Sequence, residues 1–447
     1  MTHIIIKNIG PIKEVELDLN KINVFMGPQS SGKSTIAKII SYCSWYEKNA
    51  ILGTRPNIDF YKELLEFHNL EDNYFCDDSL IEYKSTNCHI VYSGRKDAPV
   101  SVKINVGPKN IFRNEKIEYI PAERNIVSLS GIGKYNDAEN NILGFLYDWF
   151  KAKQFINKEE TYNLPLHSLN NIKYYYTQDD DADRVTLEDG RDIKLQHASS
   201  GLMSVTPLLV VFNYVVKEIY KTTRTLSPLE IINLESKVGS YDGEIKQLLS
   251  DAINYVKETQ VLIEKSRTIL KSMENNIEFS DRIVKYSEEI KSNEERMLDN
   301  QKSMVKNIGF DSDYNYSKII IEEPELNLFP EAQRDLMYYM LESLAKDKKK
   351  HQLVITTHSP YILFALNNCM MGELVKKNIP LKERKTFASY KSWIDPKKVS
   401  IYEIHDGTLK CIQDEDGILE DNYLNQAYKE NTSEYMSLLN YFDDDEK

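Results

Sequence analysis

The stretch Gly27–Thr35 reads GPQSSGKST and constrains the chain more than any other segment. It follows the apolar, β-branched run Ile22–Met26 and precedes a helical pattern, so we predict a strand, a glycine-rich turn and a helix in direct succession. Glycines let a backbone wrap closely around phosphate groups, and the N–H groups of the turn and of the helix N-terminus supply positive potential. The spacing G-x-x-x-x-G-K-[ST] therefore predicts a phosphate-binding loop.

Each position of this loop is a candidate nucleotide contact. Lys33 is expected to reach the β- and γ-phosphates, and the hydroxyl of Ser34 is expected to bind Mg²⁺, so ATP and Mg²⁺ are the predicted cofactors. The other positions contribute backbone N–H groups. The predicted contact set is Gly27, Pro28, Gln29, Ser30, Ser31, Gly32, Lys33, Ser34 and Thr35.

A second motif follows the apolar run Lys318–Ile321, where the chain continues Glu322, Glu323, Pro324 and Glu325. An apolar strand that ends in two acids is typical of a Walker B motif when the same chain has a phosphate-binding loop. Glu322 is the predicted Mg²⁺ ligand, acting through water. Glu323 is the predicted catalytic base that orients and deprotonates the attacking water.

Two weaker signals gain meaning from their order along the chain. Ser199, Ser200 and Gly201 open an apolar helical pattern; alone they are a plain N-cap, but a small polar turn at a helix start is also an anion site. His358 directly follows a second apolar strand pattern. A lone histidine is normally structural, but in this order His358 is a predicted catalytic sensor of the γ-phosphate.

The composition limits the class of protein. The chain has 447 residues, 41% of them apolar, which is enough for two or three structural units. Its net charge of −13 argues against non-specific coating of nucleic acid, although a local basic groove stays possible. Five cysteines without a CxxC pair argue against a disulfide framework or a zinc ribbon. We find no apolar run of the ~18 residues that a membrane span needs and no signal peptide, so we expect a cytoplasmic protein without membrane contact.

Residues 228–306 differ in character from the rest, with no tryptophan, one proline and many charged side chains. Apolar residues recur there every seven positions, which predicts a coiled-coil seam. Such an insert must fold back on itself, with turn candidates at Gly239–Gly243 and at Asn275-Asn276. An ordinary helical subdomain packed on the body is the alternative. The seam positions are Leu249, Val256, Ile263, Leu270, Ile277 and Val284.

The order of P-loop, Ser-Ser-Gly turn, double acid and histidine resembles that of the ABC-ATPase superfamily, which includes SMC and break-repair ATPases. The phrases IEEPELNLFP, TTHSPYIL and YIPAER are most similar to the overcoming lysogenization defect (OLD) branch, which includes ATPase subunits of the anti-phage systems PARIS and Septu. The resemblance implies an α/β fold, an ABC-ATPase head with a mixed sheet and helices, carrying a helical or coiled-coil insertion. We divide the chain into head residues 1–221, insertion 222–310 and head residues 311–447.

The resemblance also implies an ATP-sandwiched homodimer or a higher homo-oligomer. Lys33, Glu322 and Glu323 act from one subunit, while Ser199 and Gly201 press on the γ-phosphate from the other.

Several positions depart from the family pattern. Gln29 stands where asparagine is common, and no lariat-loop glutamine is evident, although Glu123 or Arg124 occupies its neighbourhood. The founding OLD protein adds a C-terminal Toprim nuclease, whereas Asp414 and Asp416 here are interpreted as surface acids. We therefore expect no nuclease in this chain.

Two functions are consistent with these features. The first is an ATP-dependent switch or sensor in anti-phage defence that controls a separate effector, which is a Toprim or HNH nuclease or a toxin, in response to a phage trigger protein. The alternative is a DNA-maintenance ATPase of the SMC or RecF type that clamps DNA; the acidic net charge weakens this alternative. A scaffold with structural ATP is disfavoured because Glu323 and His358 are both present.

Overall fold

The structure is a computed structural model that describes residues 2–52, 59–94, 99–105, 113–128, 141–169, 171–221, 243–274 and 314–439, with residues 292–293, 296–297 and 441. Its strands are β1 (Thr2–Ile9), β2 (Ile12–Leu19), β3 (Ile22–Met26), β4 (Phe75–Lys84), β5 (Cys88–Ser93), β6 (Val100–Ile104), β7 (Glu115–Ile120), β8 (Tyr162–Asn163), β9 (Lys173–Thr177), β10 (Ala182–Thr186), β11 (Asp192–Lys194), β12 (Tyr316–Glu322), β13 (Gln352–Thr357), β14 (Val399–His405) and β15 (Thr408–Cys411).

The helices alternate with these strands through most of the described chain. They are α1 (Lys33–Leu52), α2 (Phe60–His68), α3 (Asn141–Ala152), α4 (Ser200–Val216), α5 (Gly243–Glu274), α6 (Pro330–Lys346), α7 (Pro360–Val375), α8 (Leu381–Arg384) and α9 (Tyr423–Leu439). Short 3₁₀ helices cover Asp72–Tyr74, Arg124–Ser128, Lys153–Phe155, His167–Leu169, Leu195–His197, Glu218–Tyr220, Tyr390–Ser392 and Pro396–Lys398.

One large mixed sheet organises the molecule, with the strand order β6-β5-β4-β1-β2-β15-β14-β3-β13-β12-β7. The five strands at one end of this order, β14, β3, β13, β12 and β7, are parallel to one another. Its flank, formed by β1, β2, β4, β5 and β6, is antiparallel. This architecture confirms the predicted α/β fold class.

The burial of the strands follows their place in the sheet. All five residues of β3 are buried, because helices cover both faces of the parallel region. Val24 and Met26 belong to one core cluster and Phe25 to the other, as the two-residue period of a strand requires. The first cluster packs under α3, α4, α6 and α7, and the second packs under α1 and α2.

The helix that follows the Ser-Ser-Gly turn bears on the expectation that the chain has no apolar run long enough to span a membrane. Among the described residues, the segment Ser200–Tyr220 is long and apolar enough to cross a membrane by length and composition, with a mean hydropathy of 1.5. However, 72% of its most apolar window is buried inside the molecule, as in the core helix of a globular protein. Run length alone missed it because Ser204, Thr206 and Asn213 interrupt the apolar sequence.

The insertion contributes one long described helix, α5, of 32 residues. Its predicted seam positions Val256 and Ile263 are fully buried, whereas Val261 and Leu262 are about half exposed. Val256 and Ile263 therefore lie on a covered face of α5, while the side chains of the seam positions Leu249 and Leu270 are outside the described part of the chain. The turn candidates before residue 243 and after residue 274, and the seam positions Ile277 and Val284, lie outside the described residues.

Candidate nucleotide-binding site

Five parallel strands end level with one another at one edge of the sheet. Glu322 of β12 lies opposite Thr356 of β13, and Thr356 lies opposite Phe25 of β3. The loops that leave these strand ends therefore meet at the same edge, which is where ligands bind in open α/β sheets. The phosphate-binding loop follows β3, Glu323 follows β12 and His358 follows β13.

The loop between β3 and α1 has backbone angles and close contacts that residues with a Cβ atom disfavour. Gly27 and Gly32 have φ values of 147° and 106°, and Ser30 has a φ of 57°. A Cβ atom on Gly27 would lie 2.3 Å from the carbonyl oxygen of Ile404, and one on Gly32 would lie 2.3 Å from Cδ1 of Ile12. Both glycines are therefore required by φ and by close approach of the β1–β2 and β14–β15 turns.

Lys33 begins α1 and points back over the loop. Its ammonium group donates hydrogen bonds to the carbonyl oxygens of Gly27 (3.0 Å) and Pro28 (2.6 Å) and to the hydroxyl of Ser31 (3.4 Å). The residue is 4% exposed. Burial lowers the pKa of Lys33 to about 8, against the opposing effect of the nearby carboxylates of Glu323 and Glu325.

Glu323 has a left-handed backbone, with a φ of 42°. Such a value is uncommon for a residue with a side chain and marks a position that its surroundings must hold in place. Its N–H donates to the carbonyl of Thr356 at 2.9 Å. Its carboxylate lies 3.4 Å from Nε2 of His358, and both side chains are about 30% exposed. The hydrogen bond from His358 is the main reason that the pKa of Glu323 lies below its usual value.

Glu325 fixes the loop that carries the histidine. Its carboxylate accepts hydrogen bonds from the hydroxyl of Thr357 (2.8 Å) and from the backbone N–H of His358 (2.6 Å). Burial raises the pKa of Glu325 above its usual value. Glu325 and Glu323 thus differ in role. Glu325 orients the backbone before His358, whereas Glu323 faces the open cleft.

These residues surround a cleft of about 410 Å³. Its lining consists of Gln29–Thr35, Glu323 and His358, together with Pro11 and Tyr74. The last two were missed from the sequence, because only the packing of the β1–β2 turn against the loop brings them there. Gly27, Pro28 and Glu322 lie beside the cleft and do not line it.

The residues present fit a magnesium ion. Mg²⁺ prefers hard oxygen ligands and commonly uses one or two protein groups together with phosphate oxygens and water. Ser34, in the first turn of α1, lines the cleft, and Glu322 ends β12 with 6% exposure. A hydroxyl and a carboxylate are a suitable donor pair, and they stand on neighbouring loops of the same sheet edge.

The predicted signature turn lies apart from this cleft. Ser199 caps α4, because its hydroxyl accepts a hydrogen bond from the N–H of Leu202 at 3.4 Å. Ser199 and Ser200 are exposed and Gly201 is half-buried, and none of the three lines the cleft. A Cβ atom on Gly201 would lie 2.8 Å from the carbonyl oxygen of Asn327, so the turn packs closely on the segment after the two acids.

Arg124 is a further residue of this region whose place the sequence left open. It is fully buried, and its guanidinium donates to the carbonyl oxygens of Ser204, Pro121, Glu322, Glu323 and Pro324. Burial lowers the pKa of Arg124 to about 10. The neighbouring Glu323 and Glu325 carboxylates oppose that change. Glu123, the other candidate for this neighbourhood, is exposed.

Comparison with protein families finds one match. The AAA ATPase domain family matches residues 310–363. This segment contains Glu322, Glu323 and His358 of the candidate site. A search of curated proteins finds no match to the chain.

A comparison with solved structures finds similar chains at TM-scores below 0.5. The SMC head domain from Thermotoga maritima is 8% identical, covering 92% of this chain and 98% of that chain at a TM-score of 0.35. The recombination mediator protein RecF is 11% identical, covering 92% and 97% at a TM-score of 0.30. A dimeric ATP-binding cassette in a post-hydrolysis state, bound to ADP and Pi, is 11% identical, covering 92% and 99% at a TM-score of 0.24.

The chain has an α/β fold in which a glycine-rich loop, a basic residue, one strand-end acid and a histidine surround one cleft. Its residues 310–363 are similar to the AAA ATPase domain family.

Proposed function

We propose that the protein is an ATP-dependent dimerising switch ATPase that controls a separate effector in anti-phage defence. One observation carries the dimerising part. The P-loop, Glu323 and His358 share a cleft, whereas Ser199–Gly201 lie outside that cleft, with both serines exposed at the start of α4. A second copy supplies the missing turn when two chains face each other across ATP.

Each side chain has a distinct task in this proposal. Lys33 and the loop N–H groups bind the β- and γ-phosphates, and Ser34 and Glu322 hold Mg²⁺, which neutralises phosphate charge. The Glu323 carboxylate takes a proton from the attacking water, and His358 orients that carboxylate from 3.4 Å. The partner's signature turn encloses the γ-phosphate. Loss of that phosphate removes the bridge between the copies, so hydrolysis reopens the dimer.

The regulatory part rests on the OLD-like motifs and on the insertion. We assign residues 1–221 and 311–447 to the ATPase head, in which β7 and β12 pair in parallel, and residues 222–310 to a helical lever. The lever transmits head closure to an effector protein, which is a nuclease or toxin encoded separately, or receives a phage trigger. Five free cysteines agree with action in the reducing cytoplasm.

A phage-challenge assay tests this function. Cells carry the gene with its genomic neighbours, and plaquing efficiency is compared between the unaltered gene, Glu323→Gln and the control Glu331→Gln, whose side chain is exposed on the first turn of α6. We expect protection with the unaltered gene and the control, and loss of protection with Glu323→Gln. The product of a neighbouring gene should co-purify with the protein. Equal plaquing in all three strains and no co-purifying partner would contradict a defence role.

DNA binding separates this proposal from the DNA-clamping alternative. Glu323→Gln protein is loaded with ATP and titrated with duplex DNA at several salt concentrations. With a net charge of −13 we expect weak binding. Tight binding that falls steeply as salt rises would favour the alternative, because salt dependence counts the phosphates contacted.

A further inference from the structure

The Arg124 side chain joins segments that are far apart in sequence. It lies in the loop after β7, and its exposure is 0%. Nε donates to the carbonyl oxygen of Ser204 in α4 at 3.1 Å. Nη1 donates to that of Glu322 at 2.9 Å, and Nη2 donates to that of Glu323 at 2.8 Å. One guanidinium thus donates hydrogen bonds both to α4, the helix after the Ser-Ser-Gly turn, and to the end of β12, where Glu322 and Glu323 lie.

These contacts are directional. A guanidinium has five N–H donors in a rigid planar fork, so carbonyls bonded to it are fixed in position and in angle. Weaker bonds of 3.3 Å to the carbonyl oxygens of Pro121 and Pro324 complete the set. A buried charge is costly unless its hydrogen bonds are satisfied. A shift of the helix relative to the strand end therefore breaks bonds that water cannot replace.

The bonds act on the backbone of the catalytic base. The φ of Glu323 is 42°, and the peptide group that joins Glu322 to Glu323 is held at both ends: its N–H donates to the carbonyl of Thr356, and its C=O accepts from Arg124. Rotation of this peptide would move the carboxylate away from His358. A second contact joins the Ser-Ser-Gly turn to the segment after Glu323. Gly201 lies so close to the carbonyl of Asn327 that a Cβ atom would not fit.

We propose that Arg124 is a positioning residue that couples the signature turn to Glu323 of the same chain, and so links the two ATP sites of the dimer. This inference rests on the proposed function, in which the signature turn grips the nucleotide of the partner while Glu323 serves its own. When Ser199–Gly201 bind the nucleotide of the partner, α4 shifts. Arg124 transmits this shift to the backbone of Glu323.

Steady-state ATPase kinetics of Arg124→Gln and Arg124→Lys test the coupling. We expect kcat to fall about 10- to 100-fold in Arg124→Gln, since displacement of a catalytic group by about 1 Å costs about 100-fold. The KM for ATP should change less than about threefold, and the Hill coefficient should fall to 1. Arg124→Lys, which keeps three donors, should recover part of kcat without restoring the Hill coefficient.

A matched control and the ATP affinity complete the test. Arg184 lies on β10, which pairs with β9 and β11 in a separate four-stranded sheet. It bonds Asp180 and Asp192 and stands outside the cleft. Arg184→Gln should keep kcat and the Hill coefficient. If Arg124→Gln fails to fold, Arg124→Lys carries the same comparison. A folded Arg124 variant with an unchanged kcat and Hill coefficient overturns the inference. A wild-type protein that hydrolyses ATP as a monomer, with a Hill coefficient of 1, contradicts the proposed function itself.

Discussion

The cleft and the signature turn are both suited to phosphate, yet the fold treats them differently. The cleft is assembled within one chain, because the loops after β3, β12 and β13 leave the same sheet edge. The turn at Ser199–Gly201 lies outside that cleft, at the start of α4, and leaves its two serines exposed. In our proposal the cleft and the turn are complementary halves of one site, which two copies complete around ATP.

The largest effect is expected from the catalytic base. Glu323→Gln removes the proton acceptor but keeps the shape and the hydrogen-bonding capacity of the side chain. Hydrolysis should fall about 10²- to 10⁴-fold while ATP stays bound. ATP-dependent dimers should accumulate, which light scattering after gel filtration measures. Normal turnover in this variant would place the base elsewhere.

The second-largest effect is expected from Lys33 of the phosphate-binding loop, which belongs to the cleft. Lys33→Ala removes the ammonium group that lies over the loop, and ATP affinity should fall at least about 100-fold, or about 2.7 kcal/mol. Isothermal titration calorimetry measures this. Lys38→Ala, on the same helix and outside the cleft lining, is the control and should bind normally. Retained affinity in Lys33→Ala would refute the loop assignment.

A smaller effect concerns the turn half. Gly201→Ala places a Cβ atom 2.8 Å from the carbonyl oxygen of Asn327, so the turn must shift. We expect turnover to fall about tenfold, or about 1.4 kcal/mol, with ATP affinity of the monomer unchanged. Gly144→Ala in α3 is the matched control, since no atom lies within 4 Å of its added Cβ. That control should unfold at the same or a slightly higher temperature, because alanine favours helix over glycine. Unchanged turnover in Gly201→Ala would separate the turn from the ATPase cycle.

The smallest expected effect on ATPase activity comes from the insertion. Ile263→Asn buries an amide at a fully buried position of α5, whereas Leu262→Asn changes a side chain that is 51% exposed. The first should destabilise the insertion by about 2–5 kcal/mol and the second by less than about 0.5 kcal/mol. Limited proteolysis and thermal melts report the difference. Equal melting behaviour of the two variants would contradict a packed seam.

Local patterns predicted most of the sheet edge. The run Ile22–Met26 and the strand before Glu323 were readable because strands buried on both faces are continuously apolar. The phosphate-binding loop was readable because its glycines, lysine and serine lie within nine positions. The long helix α4 also follows from a local signal, the apolar pattern after the Ser-Ser-Gly turn.

Contacts between residues far apart in the chain could not be predicted from the sequence, because they depend on tertiary packing. Arg124 meets Ser204 and Glu323 across separations of 80 and 199 residues, so no local spacing identifies its partners. Tyr74 reaches the cleft because its backbone carbonyl accepts the N–H of Gly10 at 2.7 Å, beside the β1–β2 turn. A buried arginine next to a Ser-Ser-Gly turn and two acids is a signal only once the topology brings them together.

The structure of Glu323→Gln bound to ATP and Mg²⁺ tests the central claim most directly. The distance to measure is from the γ-phosphate of one copy to Ser199 Oγ and Gly201 N of its partner. Our account predicts about 2.7–3.2 Å, within hydrogen-bond range, with Lys33 of the first copy on the β- and γ-phosphates. A nucleotide-bound assembly in which Ser199 lies far from every γ-phosphate, or in which Lys33 points away from the nucleotide, would contradict it.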